Sequence, residues 1–271
     1  MASVAAPQFS VVCPVFNSEK WVQRTLDTVL EQTFSSLELI IIDDGSVDNT
    51  PSFVAEYLQR RRPGFRWTIL ANEHRGPGAA RNVGIRAAKG KWIAFLDSDD
   101  LWAPQKLKRV AQAISASPNA NFICHHEEMH KLSGQRITLE YASHYNANCH
   151  LSVQLYHRNL FSTSAVVCQR STLLKHGLFD ESLMSAQDYE LWLRLSPHLR
   201  IIFVEETLGV YVERRGNITS KNWSKRIKNE LSLAFRYRRV VSNRAVLIRI
   251  LRIMTSYAKQ GLLFFVQHLR F

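Results

Sequence analysis

The chain has 271 residues, of which 46% are hydrophobic and 21% charged, a globular composition that excludes a disordered or fibrous protein. The net charge is +12, but 12 of the 35 basic residues and one of the 23 acidic residues lie after residue 220, so that segment carries +11 and the rest +1. A uniformly basic surface for nucleic acid is therefore excluded, and nucleic acid is the least favoured partner.

The first 116 residues contain four apolar segments that alternate with four helical patterns. The predicted strands are Phe9–Cys13, Leu37–Asp43, Arg66–Leu70 and Trp92–Asp97, and the predicted helices are about Ser18–Gln32, Pro51–Arg61, Gly78–Ala88 and Ala103–Ala116. Short apolar strands joined by helix-length crossovers indicate a parallel sheet covered on both faces. Because such sheets bind ligands at the carboxyl ends of their strands, we expect a ligand near Pro14, Asp43–Gly45 and Asp97–Asp100.

The pattern is less regular after residue 117. Strands are predicted at Asn121–Cys124, Ser164–Cys168, Ile201–Val204 and Leu208–Val212, and a helix at about Ala186–Leu195. The polar stretch from His125 to Asn148 predicts no element. Because no Gly, Ser or Pro-rich linker intervenes, we interpret residues 1–116 and 117–220 as two halves of one domain and residues 221–271 as a basic helical tail.

Two acidic clusters follow predicted strands. Asp43-Asp44-Gly45-Ser46 fits either a strand-end turn that bonds nearby backbone N–H groups or a carboxylate that binds a nucleobase or ribose. Asp97-Ser98-Asp99-Asp100 places three carboxylates in four residues, which favours a hard cation such as Mg²⁺ or Mn²⁺ that bridges to phosphate oxygens. The alternative is that Asp99 or Asp100 caps the helix that begins near Pro104.

A glycine-rich segment from Asn72 to Asn82 lies between the two clusters. It precedes a predicted helix whose N-terminus could face an anion, with Arg75 and Arg81 as charge partners. The alternative is a loop whose glycines only turn the chain and whose arginines lie in solvent. The segment lacks the third glycine of the dinucleotide fingerprint and follows the third strand, which disfavours a nicotinamide-dependent dehydrogenase.

Two further sets of polar residues are candidates. Asp188 lies at the opening turn of a predicted helix, where it either complements the helix dipole or serves as a general base. His125, His126 and His130 could suggest a metal, but adjacent residues of a strand point to opposite faces, so we do not favour a metal there.

Five segments occur in a characteristic order: Val11–Asn17, Ile40–Ser46, Gly76–Gly84, Phe95–Asp100 and Gln187–Arg194. Together they resemble the motifs of family 2 glycosyltransferases over about residues 7–220. The resemblance implies the GT-A fold, an α/β, Rossmann-like, mainly parallel sheet flanked by helices. It also implies an inverting, metal-dependent hexosyltransferase. Such an enzyme moves a sugar from a nucleotide-diphosphate sugar, here UDP-linked, to a saccharide or lipid-linked acceptor in cell-surface polysaccharide biosynthesis.

The resemblance carries over to individual positions. The implied nucleotide-sugar-binding residues are Pro14 and Phe16 at the base pocket, Asp44 at a uracil-like edge, Arg81 near the donor, and Asp97 near ribose or metal. Asp99 would bind the Mn²⁺ or Mg²⁺ that holds the diphosphate, and Asp188 would be the catalytic base. Inversion needs one base and a stabilised leaving group, without a second, covalent carboxylate.

The chain departs from the family pattern at two places. Gln187 stands where the family often has Glu, which changes the local charge without removing the base. The sequence Tyr211-Val-Glu-Arg214-Arg215 stands where the family often has Tyr-Arg-x-His, so the usual His ligand is missing. We hypothesise that Arg214 or Arg215 contacts the diphosphate instead.

The basic tail predicts an amphipathic helix from Ala245 onward. Arg249, Arg252, Ser256 and Lys259 form a basic stripe beside two apolar ones, one with Val246, Ile250, Ile253 and Tyr257 and the other with Leu247, Leu251, Met254 and Ala258. The helix either packs on the body with its basic face in solvent or anchors the protein on an anionic membrane surface.

A second class of function remains open, a non-catalytic nucleotide-sugar or membrane-surface binding protein on the same scaffold. Intact Asp99 and Asp188 favour the enzyme, since a binding module has no need for both. The start lacks a basic residue before Lys20, and the four cysteines lack C-x-x-C spacing. We therefore expect a cytoplasmic protein, held peripherally on the inner face of the membrane by its tail.

Overall fold

A computed structural model describes residues 6–214 and 223–268, with side chains described for 6–214 and 227–257. The described strands are β1 Phe9–Val15, β2 Leu37–Asp43, β3 Arg66–Ala71, β4 Trp92–Phe95, β5 Leu101–Trp102, β6 Phe122–His130, β7 Arg136–Leu139, β8 Val166–Gln169 and β9 Ile201–Val212. The described helices are α1 Val22–Leu30, α2 Thr50–Arg61, α3 Pro77–Ala87, α4 Lys106–Ala116, α5 Leu151–His157, α6 Arg170–His176, α7 Gln187–Leu195, α8 Trp223–Arg236 and α9 Asn243–His268.

The strands form one mixed sheet in the order β3-β2-β1-β4-β8-β6-β9-β5, with β7 added to β6. β1 to β4 pair in parallel, which confirms the α/β architecture expected for the first half. β8 pairs antiparallel with both β4 and β6, so the second half of the sheet is mixed. The carboxyl ends of β1, β2 and β4 consequently lie along one edge of the sheet.

Helices cover both faces of the parallel half. In β1, Val11 packs into one core with Leu26 of α1, whereas Val12 packs into the other core with Trp192 of α7. This alternation is that of a strand buried on both faces. A Cβ added to Gly84 of α3 would lie 2.6 Å from Val12 Cγ1, so glycine allows α3 to approach β1 closely.

The second half differs most from the sequence expectation. β6 continues past the predicted end at Cys124 to His130, and β7 pairs with it inside the stretch for which no element was expected. The strand pattern is hidden because His125 and Glu127 are polar and yet fully buried. Helices α5 and α6 were also not predicted, since each has only seven residues and shows little periodicity.

The two strands predicted at Ile201–Val204 and Leu208–Val212 are a single strand, β9. It pairs in parallel with β6, and the register shifts on either side of His126. Polar residues between Val204 and Leu208 interrupt the apolar pattern of the sequence. The register shift lets one long strand include them.

Helices α8 and α9 pack on the body of the protein. Arg249 of α9 is only 5% exposed, and its guanidinium lies 4.5 Å from the ring centre of Tyr156 and 5.2 Å from that of Tyr189. The expectation that Arg249 belongs to a solvated basic stripe is therefore wrong. Helical periodicity places Arg249 on the same stripe as Arg252, but α9 packs on the body with Arg249 facing inward.

The outer face of α9 is apolar. Leu247, Ile248, Leu251 and Met254 are 58%, 37%, 54% and 53% exposed. Arg252 is also exposed, while the side chain of Lys259 lies outside the described residues. Within the described residues, no helix has the length and apolar character needed to cross a bilayer.

Candidate active site

The loops after β1 and β4 meet at the carboxyl edge of the sheet. The hydroxyls of Ser18 and Ser98 are 2.9 Å apart, and Thr25 Oγ1 donates to the carbonyl oxygens of Ser98 and Asp100 at 2.8 and 2.9 Å. The segment Asp97–Asp100, placed at this edge by the sequence, is thus fixed from below by α1. Hydrogen bonds to Ser18 and Thr25 therefore hold the conformation of this segment.

Asp44 organises the turn from the same edge into α3. It is 2% exposed, and its carboxylate accepts hydrogen bonds from Asn72 Nδ2, His74 Nδ1 and the backbone N–H groups of Arg75 and Gly76, at 2.9 to 3.2 Å. An ionised carboxylate offers about four acceptor positions, so these donors occupy it fully. Contact between Asp44 and a uracil-like edge stays a prediction, and it requires one donor to leave.

His74 is the exposed member of that set. Its side chain is 49% exposed, and its ring stacks on Phe16 with centres 4.1 Å apart and planes 14° from parallel. Phe16 is itself 41% exposed, so its ring lies open at the edge, as expected for a residue that lines a base pocket. Pro14, by contrast, is buried inside β1 opposite Ile42.

The acidic segment after β4 is paired with arginines. Arg81 of α3 binds Asp97 through Nη2, and the side chain of Arg81 is 5% exposed. Arg214, which follows β9, binds Asp99 through Nε and lies 4.1 Å from the ring centre of Trp21. Both carboxylates predicted to bind donor or metal therefore already have a cationic partner.

Burial governs the protonation of this segment. It raises the pKa of Asp99, and the Arg214 guanidinium opposes that rise. It raises the pKa of Asp100 well above the ordinary value, helped by the charges of Asp99 and Glu127. Asp100 is nearly inaccessible, which fits a structural role better than contact with a ligand.

Ser164 joins the acidic segment to the second half of the domain, and no motif of the sequence pointed to this residue. Its hydroxyl accepts from the backbone N–H of Asp97 at 3.0 Å and donates to Asp100 at 2.6 Å. Its carbonyl oxygen accepts from Trp102 Nε1 at 3.2 Å and from Lys106 Nζ at 2.9 Å. Burial lowers the pKa of Lys106 well below its ordinary value.

Asp188 lies in the first turn of α7 and has a neutral hydrogen-bond partner. Asn159 Nδ2 donates to its Oδ2 at 3.1 Å. Burial raises the pKa of Asp188, while the Arg81 cation lowers it and the Asp97 charge raises it. Arg81 and Asp97 are thus the charged side chains named among the influences on the pKa of Asp188. Ala186, just ahead of α7, has φ +58°, a strained value that sets the direction of the helix start.

The three histidines of β6 have local contacts. His125 Nδ1 lies 2.7 Å from the carbonyl oxygen of His126, and His126 Nδ1 accepts from the backbone N–H of Tyr141 at 3.2 Å. His130 pairs with Glu128 two residues away. Among the described residues, no three acidic, histidine or cysteine side chains converge as a ready-made metal cage.

The donor set of Asp97 and Asp99 nevertheless fits one kind of cation. Mg²⁺ and Mn²⁺ are commonly held by one or two carboxylates together with substrate phosphates, so a cage of three protein ligands is unnecessary. Both carboxylates are partly accessible, with side-chain exposures of 33% and 15%. They could therefore hold a divalent cation jointly with a diphosphate, provided that Arg214 yields Asp99.

Comparison with known protein families identifies the family to which the chain belongs. The sequence pattern described as "Glycosyl transferase family 2" matches residues 10–181, more than half of the chain. The chain belongs to glycosyl transferase family 2. An uncharacterised glycosyltransferase of Rickettsia prowazekii (strain Madrid E) is 28% identical over 210 residues, which are 76% of this chain and 64% of that protein. The succinoglycan biosynthesis protein ExoO of Rhizobium meliloti (strain 1021) is 38% identical over 112 residues, 41% of this chain and 31% of its own length.

Two solved structures share the fold. Staphylococcus aureus TarS 1–349 in complex with UDP-GlcNAc superposes with a TM-score of 0.68 at 19% identity, covering 91% of this chain and 71% of that one. The mannosyltransferase PcManGT from Pyrobaculum calidifontis, in complex with GDP-Man and Mn²⁺, superposes with a TM-score of 0.65 at 21% identity, covering 93% and 70%. At these identities the likeness establishes the GT-A fold alone.

The departures from the family pattern have a physical counterpart in this family 2 chain. Gln187 is buried ahead of Asp188, so the residue that precedes the predicted base in the chain is neutral. Arg214 reaches Asp99 from the region where the family often carries a His, while Arg215 lies outside the described residues. The guanidinium of Arg214 thus lies in the region where the family pattern often has the imidazole of a His.

Proposed function

We propose that this chain is an inverting hexosyltransferase that moves a sugar from a nucleotide-diphosphate sugar to a hydroxyl of a saccharide or lipid-linked acceptor. One observation carries the proposal: Asp188 has a neutral hydrogen-bond partner, Asn159, whereas Asp97 and Asp99 at the carboxyl edge of the sheet are paired with Arg81 and Arg214. Group transfer requires a group that binds anions and a group that accepts a proton, and these residues supply both.

The chemistry balances with one base. The acceptor oxygen attacks the anomeric carbon and forms the new glycosidic bond, while the bond from that carbon to the phosphate oxygen breaks and the nucleoside diphosphate leaves with the electron pair. Asp188 takes the proton of the acceptor hydroxyl. A single displacement inverts the anomeric centre and needs no covalent carboxylate.

The donor side binds the nucleotide and its diphosphate. Phe16 offers its exposed ring to the base, with Pro14 supporting that pocket from β1 and Asp44 reading the base edge after His74 moves away. Asp97 lies at the ribose or cation position. Arg214 supplies positive charge to the diphosphate once it releases Asp99.

We further propose that the transferase uses a divalent cation, Mn²⁺ or Mg²⁺, held by Asp99 together with Asp97. When bound, the cation neutralises negative charge on the diphosphate leaving group. The Mn²⁺ in the PcManGT complex supports this assignment. Arg214, which binds Asp99 in the structure, must release this carboxylate to the cation.

The donor and the pathway are proposed from the relatives. The TarS and PcManGT complexes hold UDP-GlcNAc and GDP-Man, which supports a nucleotide-diphosphate sugar, and we propose the UDP form. The name of ExoO supports a role in polysaccharide biosynthesis at the cell surface. A panel of nucleotide sugars, read by released nucleotide, identifies the donor.

Substitution of Asp188 tests the assignment. Asp188→Asn keeps the shape and the bond to Asn159 but cannot take the proton, so kcat should fall about 10³-fold while donor affinity by calorimetry stays the same. In the wild type, kcat/KM should fall as the pH drops through the raised pKa of Asp188, above the ordinary Asp value near 4.

Asp27→Asn is the matched control, because Asp27 pairs with Arg61 and Tyr57 away from the site. It should leave kcat unchanged. Transfer that survives Asp188→Asn at the wild-type rate rejects the enzyme mechanism and leaves the alternative of a nucleotide-sugar or membrane-surface binding protein.

We propose finally that the tail holds the enzyme on the cytoplasmic face of a membrane, where a lipid-linked acceptor lies. The outward stripe of Leu247, Leu251 and Met254 gives α9 an apolar face, and the exposed Arg244 and Arg252 flank it. An apolar face with arginine edges matches an anionic bilayer surface. We therefore propose that the apolar stripe, and not the basic one, faces the membrane.

Vesicle sedimentation tests this placement. The full chain should pellet with phosphatidylglycerol-containing vesicles at low salt and be partly released at high salt, and Leu247→Glu combined with Leu251→Glu should abolish pelleting. Leu132→Glu is the control, since Leu132 is equally exposed at 58% but lies in the β6–β7 turn. Unchanged pelleting of the double variant refutes the membrane-facing role of α9.

A further inference from the structure

We propose that Asn159 is a positioning residue for sugar transfer: its side-chain amide holds the Asp188 carboxylate in the orientation in which it receives the proton of the acceptor hydroxyl. The proposal rests on the base role proposed for Asp188. It adds a residue that lies in the part of the chain where the sequence carries no recognisable motif.

The local geometry fixes the roles of the two amide atoms. Asn159 Oδ1 accepts the backbone N–H of Phe161 at 3.2 Å, which leaves Nδ2 to donate to Asp188 Oδ2 at 3.1 Å. Because the first bond orients the amide plane, the donor is aimed at the carboxylate before substrate binds. The backbone hydrogen bond with Tyr189 is the second bond of the Asp188 carboxylate, and the remaining acceptor positions are those that can take the proton.

A buried frame sets the distance between the two residues. Tyr189, the neighbour of Asp188, reaches α5 with its hydroxyl, which donates to the carbonyl oxygens of Leu155 at 2.5 Å and Tyr156 at 3.3 Å. Asn159 lies two residues after the end of α5. The helix that carries the base and the turn that carries the amide are therefore joined by bonds independent of Asn159 itself.

A neutral donor suits a base better than a cation does. A guanidinium against Asp188 would stabilise the ionised form strongly and weaken its basicity, whereas an amide orients the carboxylate without a counter-charge. The charged groups that act on Asp188 are Arg81 from α3 and Asp97 after β4, and Tyr189 is the adjoining ionisable group of α7. The amide is thus an orienting partner that adds no charge of its own.

Asn159 is exposed, so its substitution leaves the core intact. This separates a positioning role from a structural one, because a folding defect would appear in the melting temperature. Asn159→Asp is the informative isosteric variant. It keeps an oxygen to accept the Phe161 N–H but replaces the donor that faces Asp188 with a second carboxylate.

The experiment compares Asn159→Ala, Asn159→Ser and Asn159→Asp with the wild type, using an active nucleotide-sugar donor. We expect Asn159→Ala to lower kcat about tenfold, with unchanged donor affinity by calorimetry and unchanged melting temperature. The acid limb of kcat/KM should move to higher pH, because loss of the donor destabilises ionised Asp188. Asn159→Ser should restore part of kcat, and Asn159→Asp should lose more than Asn159→Ala.

Asn148→Ala is the matched control, an exposed asparagine ahead of α5, and it should match the wild type in every measurement. A wild-type kcat in Asn159→Ala overturns the positioning role, as does a lowered kcat with an unmoved acid limb and a lower melting temperature. If Asp188→Asn keeps full activity, the proposed function itself fails. If Asp188→Asn is inactive and the Asn159 variants behave like Asn148→Ala, only the positioning role fails.

Discussion

The donor edge and the base side of this site use the same residue type in opposite ways. Asp97 and Asp99 at the donor edge face the guanidinium groups of Arg81 and Arg214, whereas Asp188 faces the amide of Asn159. A carboxylate that must stay ionised to bind a cation benefits from a charged partner. A carboxylate that must accept a proton benefits from burial with a neutral one.

The largest effect on the donor edge is expected from Asp99→Asn. The change removes the anionic oxygen proposed to hold the cation, so the affinity for Mn²⁺ together with UDP-sugar should fall about 100-fold. The acid limb of the pH profile should stay in place, because Asp188 is untouched. Calorimetry with and without excess chelator measures the first quantity, and steady-state kinetics the second.

Asp27→Asn again serves as the control, since Asp27 pairs with Arg61 and Tyr57 away from the site. A displaced acid limb in Asp99→Asn would show that the donor edge and the base side titrate together, and the distinction between them would fail. If donor affinity is undiminished in excess chelator, the proposal that Asp99 and Asp97 hold a metal ion is wrong.

A smaller effect is expected from Arg214→Ala, which should change the affinities for Mn²⁺ and for UDP-sugar in opposite directions. Arg214 occupies Asp99 when no donor is bound, so its removal should strengthen Mn²⁺ binding in the absence of donor about tenfold. The same variant should weaken UDP-sugar binding, because the diphosphate loses a cationic contact. Electron paramagnetic resonance of free Mn²⁺ measures the first change and calorimetry the second.

Arg109→Ala controls for the loss of an arginine, because Arg109 pairs with Glu206 in an exposed position. It should change neither affinity. Weaker Mn²⁺ binding in Arg214→Ala would mean that the guanidinium prepares Asp99 for the metal instead of competing with it.

The sequence predicted the donor edge better than the base side for a physical reason. β1, β2 and β4 are apolar strands whose ends carry Asp43, Asp97 and their neighbours, so periodicity alone brings these residues to one edge. Asp188 was found through the family motif. Asn159 has no such signal, because it acts through one polar contact 29 residues away that exists only after folding.

Ser164 and Arg249 were missed in a similar way. Ser164 binds Asp97 from 67 residues away and is fully buried. Arg249 was placed in a solvated stripe, because a helical period defines faces without saying which face the body covers. Long-range polar contacts and the choice of buried face are both decided by tertiary packing.

An effect on stability separates the base side from the donor edge. Arg249 packs its guanidinium on Tyr156 and Tyr189, the tyrosines that join the helices beside Asn159 and Asp188. Arg249→Ala should lower the free energy of unfolding by about 2 kcal/mol through lost packing. Arg249→Met should lower it by less than about 1 kcal/mol, because the stem stays while a buried charge with an unsatisfied Nη1 is removed.

Arg252→Ala, at an exposed position on the same helix, should change stability by less than about 0.5 kcal/mol. Denaturant unfolding measures all three variants. Activity lost in Arg249→Ala should appear in kcat and leave donor affinity intact, since among the described contacts Arg249 reaches only base-side helices. A fall in donor affinity instead would show that packing of α9 also stabilises the positions of Asp97 and Asp99. The base and the donor-binding carboxylates would then depend on the same packing.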